Sequence, residues 1–419
     1  MRRRRVFARL GVAATLSASV ALAATSLAAT TASAAGTADA GVYLDSLQMT
    51  SANTGWALRW NSNPGATSGP APYLIPARTV DGARRWTTIA PRGSRALLST
   101  PYATVVLHAL NGQRAWLAVT AASSANQFPG DVHRTRVYVT GNGGRTWTRS
   151  AALNVPGLAE FLSFPDATHG WLLQDLGSED VLPGADYADV YRTADGGLHW
   201  SEVARTPPPP STAVSKSGLP VMCDKAGLAF ATPSAGWLAG ACNNLSYAMR
   251  VTRDGGTHWS AQALPIPADT CTTDGCEVFG PQFFGRTGFV SVTRAPAAPY
   301  FLVSQNLGRR WQTRALPSAS GLDPRITFFS ARDGVLVSAG PQGSIGTVFY
   351  TTANAGRSWT AVPQGTAFTQ LGVGFDFIST RIGYAWVLGT DATGTTAPQM
   401  YRTGNSGRTW TPFTPVAAG

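Results

Sequence analysis

Acidic residues are scarce in this chain of 419 residues. Asp and Glu number 22 against 33 Lys and Arg, and charged residues make up only 13%, about half the usual share of a soluble domain. Chemistry built on paired carboxylates therefore has few residues to draw on. Lysine is scarcer still: Lys216 and Lys225 are the only two, so positive charge is almost entirely arginine. No long apolar run follows the first 34 residues, which argues against a retained membrane anchor. Helical periodicity is missing throughout, and short β-rich runs broken by Gly, Pro, Asn and Asp stand in its place. No basic cluster is interleaved with aromatics, so no nucleic-acid surface is expected.

What the chain does contain is a repeat. The pattern Thr/Ser-x-Asp/Asn-x-Gly-x-x-Trp begins at Thr79, Thr140, Thr193, Thr252, Ser304, Thr352 and Thr403, and only the first copy departs, with Ala83 at the glycine position. Its tryptophans, Trp86, Trp147, Trp200, Trp259, Trp311, Trp359 and Trp410, lie 48 to 61 residues apart, a period that means a propeller or a solenoid. A second element precedes most copies: a large apolar residue, then six positions later Gly plus another apolar residue. It reads Met49 to Gly55-Trp56, Phe164 to Gly170-Trp171, Phe230 to Gly236-Trp237, Phe328 to Gly334-Val335 and Phe377 to Gly383-Tyr384. Seven units of four short strands fill residues 41–419.

The repeated turn has a physical logic. A short side-chain oxygen at its third position accepts backbone N–H bonds, Gly at the fifth tolerates φ > 0, and the leading hydroxyl closes the loop. The third position is Asp81, Asn142, Asp195, Asp254, Asn306, Asn354 and Asn405 in turn, so it needs an acceptor oxygen rather than a charge. The turns are therefore read as structural, His199 and His258 with them, and neither a metal nor a cofactor is expected.

These motifs resemble the BNR or Asp-box repeat β-propellers, which include the sialidase superfamily; the pairing of both elements is most similar to the photosystem II assembly factor-like, YVTN/BNR-like branch. The resemblance covers about nine tenths of the chain. It implies an all-β fold, a seven-bladed β-propeller of four-stranded antiparallel blades with one Asp-box each, its ends meeting between blades 1 and 7 with no strand left over. A sialidase activity would require an arginine triad, a Tyr nucleophile with its Glu, an acid/base Asp and a Tyr/Phe-Arg-Ile-Pro element. The nearest match, Tyr73-Leu74-Ile75-Pro76, has Leu in place of the Arg.

Residues 1–34 read as an export signal: Arg2 to Arg5 and Arg9, an apolar stretch from Leu10 to Ala29, and Ala32-Ser33-Ala34 as the cleavage site. Arg4-Arg5-Val6-Phe7 also fits the core of a twin-arginine signal. Residues 35–40 form a short linker. Without those five arginines the formal charge falls from +11 to +6. The cysteines, Cys223, Cys242, Cys271 and Cys276, fall in one stretch. In an oxidising compartment they are expected to pair as Cys223 with Cys242 and Cys271 with Cys276, a four-thiolate zinc site being the alternative.

In such a blade the repeated turns and the first-to-second turns share one face, so a ligand site is expected on the opposite one. There the loop of blade 3 gathers Asp175, Glu179, Asp180, Asp186 and Tyr187, and that of blade 2 adds Asp131 and His133. Trp60 stands outside both tryptophan patterns, at a position suited to stacking on a carbohydrate. Asp376 occupies an inner-strand position that is Gln48, Ser163, Ala229 and Thr327 in other blades, where a carboxylate is costly unless paired. The expectation is a secreted, monomeric, non-enzymatic binding or scaffolding module for an extracellular glycan or protein, with glycoside hydrolysis as the alternative.

Overall fold

The computed structural model describes residues 42–62, 72–100, 103–121, 132–177, 185–208, 211–242, 247–266, 277–293, 300–317, 325–339, 347–363, 373–387 and 400–418. The export signal and linker, Asp131, Glu179, Asp180, Cys271 and Cys276 lie outside them. Among the described residues, no helix is long and apolar enough to cross a membrane.

Seven sheets follow one another along the chain, six of them antiparallel and contiguous in sequence, and that of blade 1 joined by one further strand from the end of the chain. Blade 1 comprises Leu44–Met49, Gly55–Trp60, Leu74–Thr79 and Arg85–Thr88; blades 2 to 7 have their innermost strands at Thr104–Ala109, Leu158–Ser163, Gly227–Phe230, Gln282–Phe284, Arg325–Phe328 and Val373–Phe377. Apolar clusters fill the boundaries between neighbouring blades, including the one that joins Leu47 and Trp86 of blade 1 to Tyr384 and Trp386 of blade 7. The fold is a closed seven-bladed propeller.

One expectation about closure is corrected. After Thr411–Phe413 completes blade 7, Val416–Ala418 crosses to blade 1 and pairs in parallel with Arg85–Thr88 as a fifth, outermost strand. A strand is left over, and it clasps the seam. Its local pattern of Val-Ala-Ala is too short to register as a strand; the unpaired edge of Arg85–Thr88 is what recruits it.

The six-residue spacing to glycine has a packing cause. The ring of Phe164 lies over Gly170 so closely that a Cβ there would come within 2.1 Å of it, and Phe230 covers Gly236 at 2.4 Å. The same rings stack on the preceding blade: Trp116 on Phe164 with centroids 3.8 Å apart, Trp171 on Phe230 at 3.6 Å, and Phe289 on Phe328 at 3.5 Å. Trp200 and Trp259 then meet those phenylalanines edge-on.

The repeated turns are uniform. In blade 3 the Thr193 hydroxyl accepts the N–H of Gly197 at 3.0 Å and donates to Asp195 Oδ1, which also accepts from the N–H of His199 at 3.0 Å. Asn142 Oδ1 accepts the N–H of Thr146 at the same distance in blade 2. Asp and Asn thus do the same work, and Asp195→Asn is expected to change unfolding free energy by less than about 0.5 kcal/mol in a denaturant titration, the lost contact being an exposed ion pair with His199. Two consecutive residues, not one, are left-handed: Leu307, Ala355 and Ser406 take φ of 58°, 59° and 69° at the fourth position. The N–H of this residue donates to the first-to-second turn of its own blade, as Ala355 does to Arg332 at 2.8 Å, which places both turns on one face. At the fifth position a Cβ on Gly356, φ +72°, would sit 2.2 Å from Phe301. Gly356→Ala should therefore cost at least about 2 kcal/mol, read from the shift of the denaturant midpoint.

Candidate functional site

On the face opposite the repeated turns, Asp186 and Asp175 of blade 3 lie near a buried lysine. Lys225, just before the innermost strand of blade 4, is 2% exposed. Its N–H donates to Asp186 Oδ2 at 3.0 Å, its ammonium donates to the Asp186 carbonyl, and Nζ lies 3.8 Å from Oδ2. Burial lowers the Lys225 pKa, while the charges of Asp186, Asp175, Asp224 and Glu160 push it back up. Glu160 is aimed there by a β-bulge, the ladder of blade 3 breaking between Ala159 and Phe161.

Asp175 and Asp186 are thus brought together, whereas Tyr187 is buried behind them with its hydroxyl donating to Ser211 at 3.3 Å. Trp60 and His133 sit apart in blades 1 and 2, in strands paired through Trp60 with Leu74 and His133 with Val155. Lys225 and Glu160 were missed as site members; the only sequence signal was that Lys225 is one of two lysines. Asp45 was missed as well. It occupies the equivalent bulge of blade 1, between Leu44 and Ser46, where burial pushes its pKa up to about 6.

Asp376 is buried in the seam of the ring. Its Oδ2 accepts the N–H of Met49 in blade 1 at 2.6 Å, and burial, against that bond, raises its pKa to about 7. The same inner-strand position makes the same kind of link elsewhere: Gln48 Oε1 accepts from Ala109 at 3.0 Å and Ser163 Oγ from Phe230 at 2.8 Å. In blade 2 the position is His108, held near a pKa of about 4 by burial, with a backbone bond to Phe164 opposing. The geometry gives Asp376 a blade-joining role.

A different feature lies on the side of the repeated turns. Between the outer strands of blades 1 and 2 opens a cavity of about 1080 Å³, lined by Arg78, Arg85, Arg92, Arg145 and Arg149, with Asp81 the one side-chain carboxylate among the described residues that line it. Asp81 is engaged by Arg85 Nε at 3.0 Å. In blade 2 the matching pair is Asn142 and Thr146, joined by a hydrogen bond of 2.7 Å, and the exposed Arg145 beside them adds its charge to the groove. Arg78 packs over Trp56, 5.7 Å from the ring centroid, and donates to Gly112 at 2.8 Å. Its Nε is buried without a hydrogen-bond partner among the described residues. Burial lowers the Arg78 pKa, and the neighbouring charge of Arg145 acts in the same direction. Like charges left facing each other across a cavity suit an anion placed between them.

No protein-family model and no curated protein sequence matches the chain. Solved structures similar to it include an ulvan lyase of polysaccharide lyase family PL25, at 9% identity over 88% of this chain and 95% of that one, with a TM-score of 0.51. YCF48 bound to a D1 peptide is 14% identical over 83% of this chain and 89% of that one, with a TM-score of 0.45. A Hadza microbial sialidase is 12% identical over 71% and 63%, with a TM-score of 0.43. At these identities the likeness is one of fold.

Proposed function

We propose that the chain is an exported, non-catalytic binding module whose ligand is anionic and is held in the groove between blades 1 and 2. The observation that carries this reading is the groove itself, five guanidiniums facing one carboxylate in a volume at the upper end of small-ligand pockets. Arginine forks bind carboxylate, sulfate and phosphate groups through two parallel hydrogen bonds. The side chains of Arg92, Arg145 and Arg149 are exposed. Reversing two of them, Arg92→Glu with Arg145→Glu, is expected to weaken binding of dextran sulfate by at least about tenfold at unchanged melting temperature; undiminished affinity would sink the proposal. The order of basic, apolar and A-x-A segments in residues 1–34 supports export, and N-terminal sequencing of the exported protein should begin at Ala35.

A second reading is favoured by Asp45, a bulge carboxyl on the opposite face with a pKa of about 6, in the range useful to a general acid. Turnover of a fluorogenic glycoside or sialoside that Asp45→Asn abolishes would establish hydrolysis instead.

A further inference from the structure

We infer that the groove between blades 1 and 2 takes a segment of an anionic polysaccharide, its carboxylates or sulfates on the guanidiniums and the face of a sugar ring against Trp147. This rests on the proposal that the groove is the binding site, and it adds the class of ligand.

Three observations favour a glycan over an acidic peptide. The blade 1 wall, Arg85–Thr88, is paired on both edges, by Leu74–Thr79 and by Val416–Ala418. The strand Arg85–Thr88 itself therefore has no free edge for a peptide to join, and what it contributes to recognition comes from its side chains. Second, the wall supplies oriented hydroxyls among the cations. Thr88 Oγ1 accepts from Arg59 at 2.8 Å and Thr146 Oγ1 from Asn142 at 2.7 Å. With an acceptor lone pair already filled, each hydroxyl has its own proton to give to a sugar or sulfate oxygen. Third, Trp147 is half-buried and fixed in place. Its Nε1 donates to Ile89 at 2.7 Å, and its ring meets Trp56 edge-on, centroids 6.4 Å apart. A rigid ring beside cations and hydroxyls matches a polymer that repeats a flat apolar face, hydroxyls and an acid group. A peptide of acidic residues alone offers the acid group without side-chain hydroxyls or a flat ring.

The test titrates the protein with polygalacturonate and dextran sulfate, and in parallel with poly-L-glutamate and a double-stranded DNA of matched charge, at about 0.15 M salt. One or both polysaccharides should bind at least about tenfold more tightly than poly-L-glutamate or DNA, and the polysaccharide that binds identifies carboxylate or sulfate as the preferred group. Binding should slow amide exchange in residues 85–92 and 143–149, a readout that needs no variant to fold. Trp147→Leu should weaken polysaccharide binding and leave any residual poly-L-glutamate binding unchanged. Equal affinity for poly-L-glutamate or DNA, still lost in the Arg92→Glu, Arg145→Glu variant, would overturn the polysaccharide inference while leaving the groove as the site. Polysaccharide binding indifferent to that double reversal, with protection elsewhere, would overturn the groove reading and this inference together.

Discussion

Replacing Trp171 by alanine is expected to destabilise the protein by about 3–5 kcal/mol, measured by denaturant unfolding at constant pH. Trp171 is fully buried, stacks on Phe230 of blade 4 at 3.6 Å, and donates from Nε1 to the Gly255 carbonyl at 2.8 Å. Its loss opens a cavity at a blade boundary and strips a buried carbonyl of its donor, two costs that add. Trp60→Ala makes the contrast. Trp60 is half-buried at the end of its strand, so its truncation should cost clearly less. If the two variants unfolded alike, stacking between blades would not be the main support of the ring.

Asp376→Asn should stabilise the protein at pH 8 and change little at pH 4. The folded-state pKa of Asp376 is raised from 3.8 to about 7. Between these values the native state holds a proton that the unfolded chain has released, so the contribution of Asp376 to wild-type stability falls as pH rises from about 4 to about 7 and is then constant. At 1.36 kcal/mol per unit, the advantage of the variant should grow by about 2–3 kcal/mol between pH 5 and pH 8. Asparagine keeps an oxygen for the Met49 N–H, so the link between blades 7 and 1 survives. A difference that stays flat with pH would mean that the carboxylate is ionised in the fold at pH 5.

The architecture was legible because each blade repeats the same solution. Seven turns with a required acceptor oxygen, and seven aromatic anchors at similar intervals, mark every blade without knowledge of its neighbours. The Cys223 and Cys242 pairing was legible for a similar reason: two short strands turning about Ser234 return the chain on itself, and the disulfide forms across 19 residues. Comparing inner strands also singled out Asp376, although its partner, Met49, becomes visible only once the ring closes. What stayed hidden depends on which blades touch. Arg78 and Arg145 are 67 residues apart in sequence and face each other only because blades 1 and 2 are neighbours with aligned outer edges. The partner of Asp186 stayed hidden because Lys225 comes from the next blade. Bulges at Asp45 and Glu160 left no pattern, since one unpaired residue does not disturb so short an alternation.

The parallel strand Val416–Ala418 also sets a timetable. Blades 1 to 6 can each pair their strands soon after synthesis, because every strand contact within them is local. The seam cannot: Met49 waits for Asp376, 327 residues later, and Arg85 waits for Val416. Until the last blade emerges, the growing molecule is an open arc with the flank of blade 1 bare and the outer edge of its sheet unpaired, both able to capture another chain. The slowest and most concentration-sensitive step of folding is therefore expected to be the joining of the first and last blades, and the clasp of residues 416–418 turns that encounter into a lock.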